Sequence, residues 1–210
     1  MATNTNSRLE AFCDGVFAIA LTLLIIDVRL PSGTEIDSSA TFWRLLANTW
    51  PSVFAFLVSF VVILITWVNH HGAFSLLKGS TQRFMYANGL LLLSVVFIPF
   101  PTSLVGDALG TNHAGPALAV YNGVIVIQAL GWVLLFQTAL SDGLAVDEAA
   151  ARLFIKNRNA GYAAMAVYAG CAVLALWIPA VIAVATAALW LFWLVWGIRA
   201  QARRRAGAAR

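Results

Sequence analysis

Six apolar runs, each about as long as a helix needs to cross a bilayer, constrain this chain more than any other feature. A hydrocarbon core of about 30 Å takes roughly 20 apolar residues in a helix. The runs extend from Leu9 to Leu30, Trp50 to Asn69, Phe84 to Val105, Pro116 to Leu140, Gly161 to Trp177 and Pro179 to Arg199. Composition agrees: 61% of the residues are apolar and 10% charged, whereas a soluble domain carries about 25% charged residues. The sequence therefore predicts an all-α integral membrane protein, one six-helix transmembrane domain over residues 1–210. Only Trp177, Ile178 and Pro179 separate the last two runs, which predicts an antiparallel hairpin. Arg8 ahead of an apolar stretch could open a signal peptide, but Glu10 and Asp14 interrupt that stretch and no small-residue cleavage site follows, so it reads as a retained first span.

Charge placement orients the bundle. With both termini cytoplasmic, the inside segments hold Arg8, Lys78, Arg83, Arg152, Lys156, Arg158, Arg199, Arg203, Arg204, Arg205 and Arg210, leaving only Arg29 and Arg44 outside. That is a strong positive-inside bias, and only an even number of spans puts both basic ends on one side. The basic tail, 200–210, reads as a topology signal drawn to anionic lipid headgroups rather than a nucleic-acid site. Between spans, Pro31 to Asn48 is expected to be a polar outside loop. Ser141 to Asn159 is expected to be an inside connector with a short helix from Val146 to Ile155.

Enzyme signatures are missing: there is no Gly-x-Ser-x-Gly, no His-Glu-x-x-His, no phosphate-cradling glycine loop and no Cys-x-x-Cys. Cys13 and Cys171 sit far apart in apolar runs, which argues against a disulfide framework or a cysteine metal site. No metal or other cofactor is expected. A TVGYG-type carbonyl filter is also missing, so a conventional potassium channel is excluded.

The first span stands apart. Its uninterrupted apolar stretch runs only from Gly15 to Ile26, bracketed by Asp14 and Asp27. A carboxylate in the hydrocarbon centre costs about 2.5 to 3.5 kcal/mol even on the lenient insertion scale, so Asp14 should face protein or water. At about 100° per residue, Phe12, Gly15, Ile19, Thr22, Leu23 and Ile26 form one stripe, while Asp14 lies about 140° from Ile19. The stripe reads either as a packing surface or as the lining of a narrow hydrophobic path ringed by one hydroxyl, Thr22. At a similar depth lie Trp67, the pair His70 and His71, and Asn88. These groups could bond Asp14 in a cluster tying the first three spans together, or relay protons between Asp14 and His70. Adjacent histidines point about 100° apart on a helix, so they do not converge on a metal.

The run Arg8-Leu9-Glu10-Ala11-Phe12-Cys13-Asp14-Gly15-Val16-Phe17, with Trp67-Val68-Asn69-His70-His71, Asn88-Gly89-Leu90-Leu91-Leu92 and Pro99-Phe100-Pro101, resembles the prokaryotic branch of the transmembrane protein 175 family. That is the lysosomal potassium channel family, with the signature Arg-x-x-x-Phe-Ser-Asp. Cys13 stands where the family has serine. The resemblance covers residues 8 to 105. It implies a homotetramer of six-helix subunits in a prokaryotic cell membrane, with four first helices around a central pathway for potassium and other monovalent cations. On that reading Ile19 is the hydrophobic constriction, Leu23 and Ile26 are further apolar gate layers and Thr22 is the polar selectivity layer. Arg8, Phe12 and Asp14 match a signature that packs against the second and third helices. Four isoleucines at one level could close the path by dewetting. Asp27 near the outer mouth could concentrate cations or pair with Arg29. Two other classes stay open: a proton-coupled secondary transporter using Asp14 and His70, and a non-conducting membrane scaffold.

Overall fold

The computed structural model describes residues 6–29 and 36–208, with side chains as far as Val195. Eight α-helices are found among them. Helix α1 (Ser7–Leu23) runs on into a 3-10 turn, Leu24–Asp27; α2 is Ser39–Asn48 and α3 Trp50–Phe74. Then follow α4 (Gln82–Phe97), α5 (Pro99–Ala108), α6 (Ala114–Ser141), α7 (Glu148–Leu174) and α8 (Pro179–Ala208). Four segments are long and apolar enough to cross a membrane: Ser7–Asp27, Trp50–Phe74, Gln82–Ala108 and Ala114–Ser141. The described apolar part of α8, Pro179–Val195, is shorter. Helix α7 carries Glu148, Arg152, Lys156 and Arg158 in its first half and is apolar beyond Asn159.

The structure corrects two expectations about the elements and adds a break within a third, which stays long enough to cross a membrane. The outside loop is helical from Ser39, because the Ser38 hydroxyl accepts the Thr41 amide N–H at 3.1 Å and so caps α2. The expected connector helix and the fifth span are one helix, α7. Its start is set by Asp147, whose carboxylate accepts the Ala150 amide N–H at 2.7 Å. Charge at a membrane boundary does not end a helix, and Ala, Arg, Leu and Lys all favour one. The third span is interrupted where Pro99 follows Ile98, since proline lacks the N–H that α4 would need to continue. The side chains of Arg199, Arg203, Arg204 and Arg205, and the whole of Arg210, lie outside the described residues.

Helix α6 is the centre of the bundle, packed on α4, α5 and α7. Glycine lets it sit close. A Cβ on Gly131 would lie 2.8 Å from the Leu91 Cα, and one on Gly161 would lie 2.8 Å from a Val133 methyl. Polar side chains join the helices inside: Ser59 bonds Thr102 at 2.6 Å and Tyr121 at 3.0 Å, and Gln128 donates to Thr66 at 3.1 Å. Unpaired, such groups would be costly in an apolar interior; paired, they fix which helices meet. Beyond the helix ends a clamp closes the bundle. Lys78 N–H donates to the Leu144 carbonyl at 2.9 Å, and Val146 N–H to that of Leu76 at 3.0 Å. Asp142 accepts from the Thr81 hydroxyl and from Arg83 at 3.2 Å.

Candidate functional site

Helix α1 is fastened along one line only. Cys13, Phe17, Ala20 and Leu24 are buried, and their spacing of four, three and four residues is one face of a helix, held against α3 and α4. Among the described residues the opposite face is largely open. Ile19 is 61% exposed, Ile26 60%, Phe12 62% and Leu23 39%, with Gly15 and Thr22 exposed among them. Phe17 and Ile19 lie about 160° apart around the helix, so this bare apolar stripe faces largely away from the buried line.

Two hydrogen-bonded arms hold the buried side. In the first, the Trp67 indole N–H donates to Asp14 Oδ1 at 2.8 Å. In the second, His70 Nε2 pairs with Asn88 Oδ1 at 2.8 Å, and Asn88 Nδ2 donates to the Cys13 sulfur at 3.2 Å. His70, Asn88 and Cys13 are all enclosed. The Asn88 amide therefore bridges α3 to α1, and the thiol in the family's serine position takes part as an acceptor. The His70 ring also stacks on Phe74 at 4.2 Å between centroids and packs on Phe17 at 5.3 Å. Asp14 sits at the edge of the packed face, exposed in the single chain apart from its indole partner. No direct hydrogen bond joins Asp14 to His70, so the two arms are separate among the described residues.

Other expected residues fall differently. Arg8 and Phe12 are exposed rather than packed on α3 and α4. Phe12 lies on the Ile19 side of the helix, and Cys13 and Phe17 make the packing contacts in its place. Thr22 donates its hydroxyl proton to the Ile19 carbonyl at 2.9 Å. Asp27 ends the 3-10 turn and forms no ion pair with Arg29. Among the described residues no three His, Cys, Asp or Glu side chains gather as metal ligands. The sequence reading missed Phe17, whose burial follows from its place four residues after Cys13, and Glu10, which reaches His71 at 4.0 Å. A cleft of about 320 Å³ between α3, α6, α7 and α8, lined by Trp132, Tyr168 and Trp190, takes no residue from α1.

Residues 8–99 match the family described as endosomal/lysosomal potassium channel TMEM175. The chain is 43% identical over 143 residues to a potassium channel of Chamaesiphon minutus, covering 68% of this chain and 70% of that one. It is 42% identical over 134 residues to a potassium channel of Streptomyces collinus, covering 63% and 64%. The fold superposes on the crystal structure of a lysosomal potassium-selective channel TMEM175 homologue from Chamaesiphon minutus with a TM-score of 0.75, at 33% identity, covering 90% of this chain and 98% of that one. The class defined by fold and sequence together is a helical membrane ion channel, not an enzyme. The chain belongs to the TMEM175 family.

Proposed function

We propose that this chain is one subunit of a potassium-permeable cation channel, a homotetramer of six-span subunits with both termini in the cytoplasm of a prokaryotic cell and α1 lining the central path. One observation carries the reading: α1 is fixed along Cys13, Phe17, Ala20 and Leu24, while the stripe from Phe12 to Ile26 on its far side is left open by the described residues. Lipid is a poor cover for that stripe. The apolar stretch from Gly15 to Ile26 spans only about 18 Å at the helical rise, well short of a hydrocarbon core of about 30 Å. Asp14 at one end and Asp27 at the other would meet acyl chains. A second, third and fourth copy around an axis would enclose the stripe instead and leave its ends in water.

In that assembly Ile19 forms an apolar ring that excludes water until the helices spread or turn. Leu23 and Ile26 extend the apolar lining towards Asp27. Thr22 contributes oxygen at the one polar level. Because its proton is committed to the Ile19 carbonyl, the hydroxyl oxygen keeps its lone pairs for a cation that has shed part of its water. Arg8 and Phe12 face the neighbouring copies. Asp14, Trp67, Cys13, Asn88 and His70 hold the helix in register and stay outside the conduction step. Single-channel recording of purified protein in a bilayer tests this: discrete cation currents are expected, and proton-coupled uptake without such currents would replace the channel with a transporter.

A further inference from the structure

Helix α2 is capped at Ser38 and has no fully buried side chain. It rests on the chain through Thr41 and Leu45, both half-buried. Next to that contact Phe42, Leu46 and Trp43 occupy an arc of about 100° and are open, Trp43 being 64% exposed. Phe42 and Trp43 meet edge to face at 5.6 Å, so the aromatic pair is already arranged. Arg44 lies about 100° beyond Trp43, on the side that otherwise carries only the small residues Ala40 and Ala47. At the junction, the Thr49 hydroxyl donates to the Leu46 carbonyl at 2.7 Å and Thr49 N–H bonds the same residue at 3.2 Å. Trp50, 57% exposed, opens α3 at once. Helix α2 therefore ends where the spanning helix α3 starts, at the level where α3 meets the edge of the hydrocarbon.

We propose that α2 is an interfacial helix that lies in the headgroup region of the outer leaflet, with Phe42, Trp43 and Leu46 inserted among the upper acyl chains and Arg44 towards the water. Depth argues for lipid rather than water, because the short turn at Thr49 holds α2 at the level of the α3 entrance. Aromatic side chains with an apolar body and a polar edge favour that level, and a short amphipathic helix binds it by burying one face. Trp43 and Trp50 would form a two-residue belt on one subunit. The inference rests on reading α3 as a span and, for the choice of leaflet, on the cytoplasmic termini proposed above; it is independent of which ion permeates, so loss of conduction would leave it standing.

Nitroxide labels test it in the full chain, reconstituted in vesicles of phosphatidylglycerol and phosphatidylethanolamine. The native cysteines, Cys13 and Cys171, are changed to serine and alanine. Single labels are then placed by Phe42→Cys, Trp43→Cys, Leu46→Cys, Arg44→Cys and Ala47→Cys, keeping only proteins that elute as the unlabelled assembly does. Labels at 42, 43 and 46 are expected to gain collisions with oxygen and lose them with a water-soluble nickel chelate, while 44 and 47 show the reverse. Nickel access at all five positions would mean α2 stands in water. Exclusion of both reagents at 42, 43 and 46 would mean a neighbouring copy covers the face. Either result overturns the proposal.

Discussion

Trp67 and Asp14 meet at 2.8 Å across the α1–α3 contact, an indole N–H on a carboxylate oxygen at the edge of the only face by which α1 is held. The bond places Asp14 beside a donor and turns it away from the stripe of Ile19 and Ile26. Trp67→Phe keeps the ring and removes the N–H. We expect it to lower assembly stability by about 1 kcal/mol, read as a drop in melting temperature and in the yield of assembled protein, with the reversal potential of surviving channels unchanged. A selectivity change with normal assembly would place Asp14 in the path.

Cys13 offers a sharper comparison. Asn88 Nδ2 donates to its sulfur in an enclosed site, and a hydroxyl accepts more strongly than a thiol. Cys13→Ser should hold or raise the melting temperature. Cys13→Val leaves the buried amide N–H without a partner and should cost about 1 to 3 kcal/mol. Equal melting temperatures for the two variants would show that the Asn88 bridge contributes nothing.

Much of α1 was legible in the sequence because its two faces belong to a single helix: a period of 3.6 residues separates Ile19, Thr22 and Ile26 from Asp14 without knowledge of anything else. The cluster of Trp67, His70 and Asn88 near Asp14 was legible only as shared depth. Which donor meets which acceptor depends on the register of α1 against α3 and α4, and sequence does not state it, so Asn88 to Cys13 and Trp67 to Asp14 emerge only from the packing. Phe12 falls on the stripe with Ile19, where the helical period puts it, and not in the packing that the family signature implies: a signature residue names a position, not the side of the helix that packs. Helix α2 was hidden because ten residues after a stretch with Pro31, Gly33 and two serines look like loop until Ser38 is seen capping them. The continuity of α7 was hidden because charge was taken for a boundary.

Gly131 sits on α4 so closely that an added methyl would lie 2.8 Å from the Leu91 Cα. Backbone cannot step aside as a side chain does. Gly131→Ala should destabilise the fold by about 1 to 3 kcal/mol through overpacking, visible in thermal unfolding in detergent. An unchanged melting temperature would show that α4 and α6 can separate without cost.

At the clamp beyond the helix ends, Asp142 is held below the ordinary carboxylate value, first by the Thr81 hydroxyl and then by Ser141 and Arg83, against the opposing effect of its desolvation. A carboxyl depressed in the folded state adds stability above its unfolded pKa and loses it as pH falls through the folded value. The Asp142 contribution should therefore be complete above about pH 4 and decline in more acid solution. Asp142→Asn should lower stability at neutral pH and narrow its gap to the parent protein as the medium is acidified through that range. A gap that widens on acidification would contradict the sign.

Thr22→Val keeps the shape of the side chain and removes its oxygen. With Ile19, Leu23 and Ile26 offering no acceptor on the stripe, the variant should lose preference for potassium over sodium while assembling normally. The check is the reversal potential under bi-ionic conditions, and an unchanged value would show that Thr22 only bonds its own backbone at Ile19.

The most direct test of the account is potassium flux from vesicles holding the Ile19→Asn protein, compared with the parent chain at equal reconstituted amount and verified assembly. If the bare face of α1 lines the path and Ile19 closes it by excluding water, an amide at that level hydrates the ring and basal flux rises. Flux equal to that of the parent chain, from a correctly assembled protein, would mean that the stripe opposite Phe17 is not where ions pass.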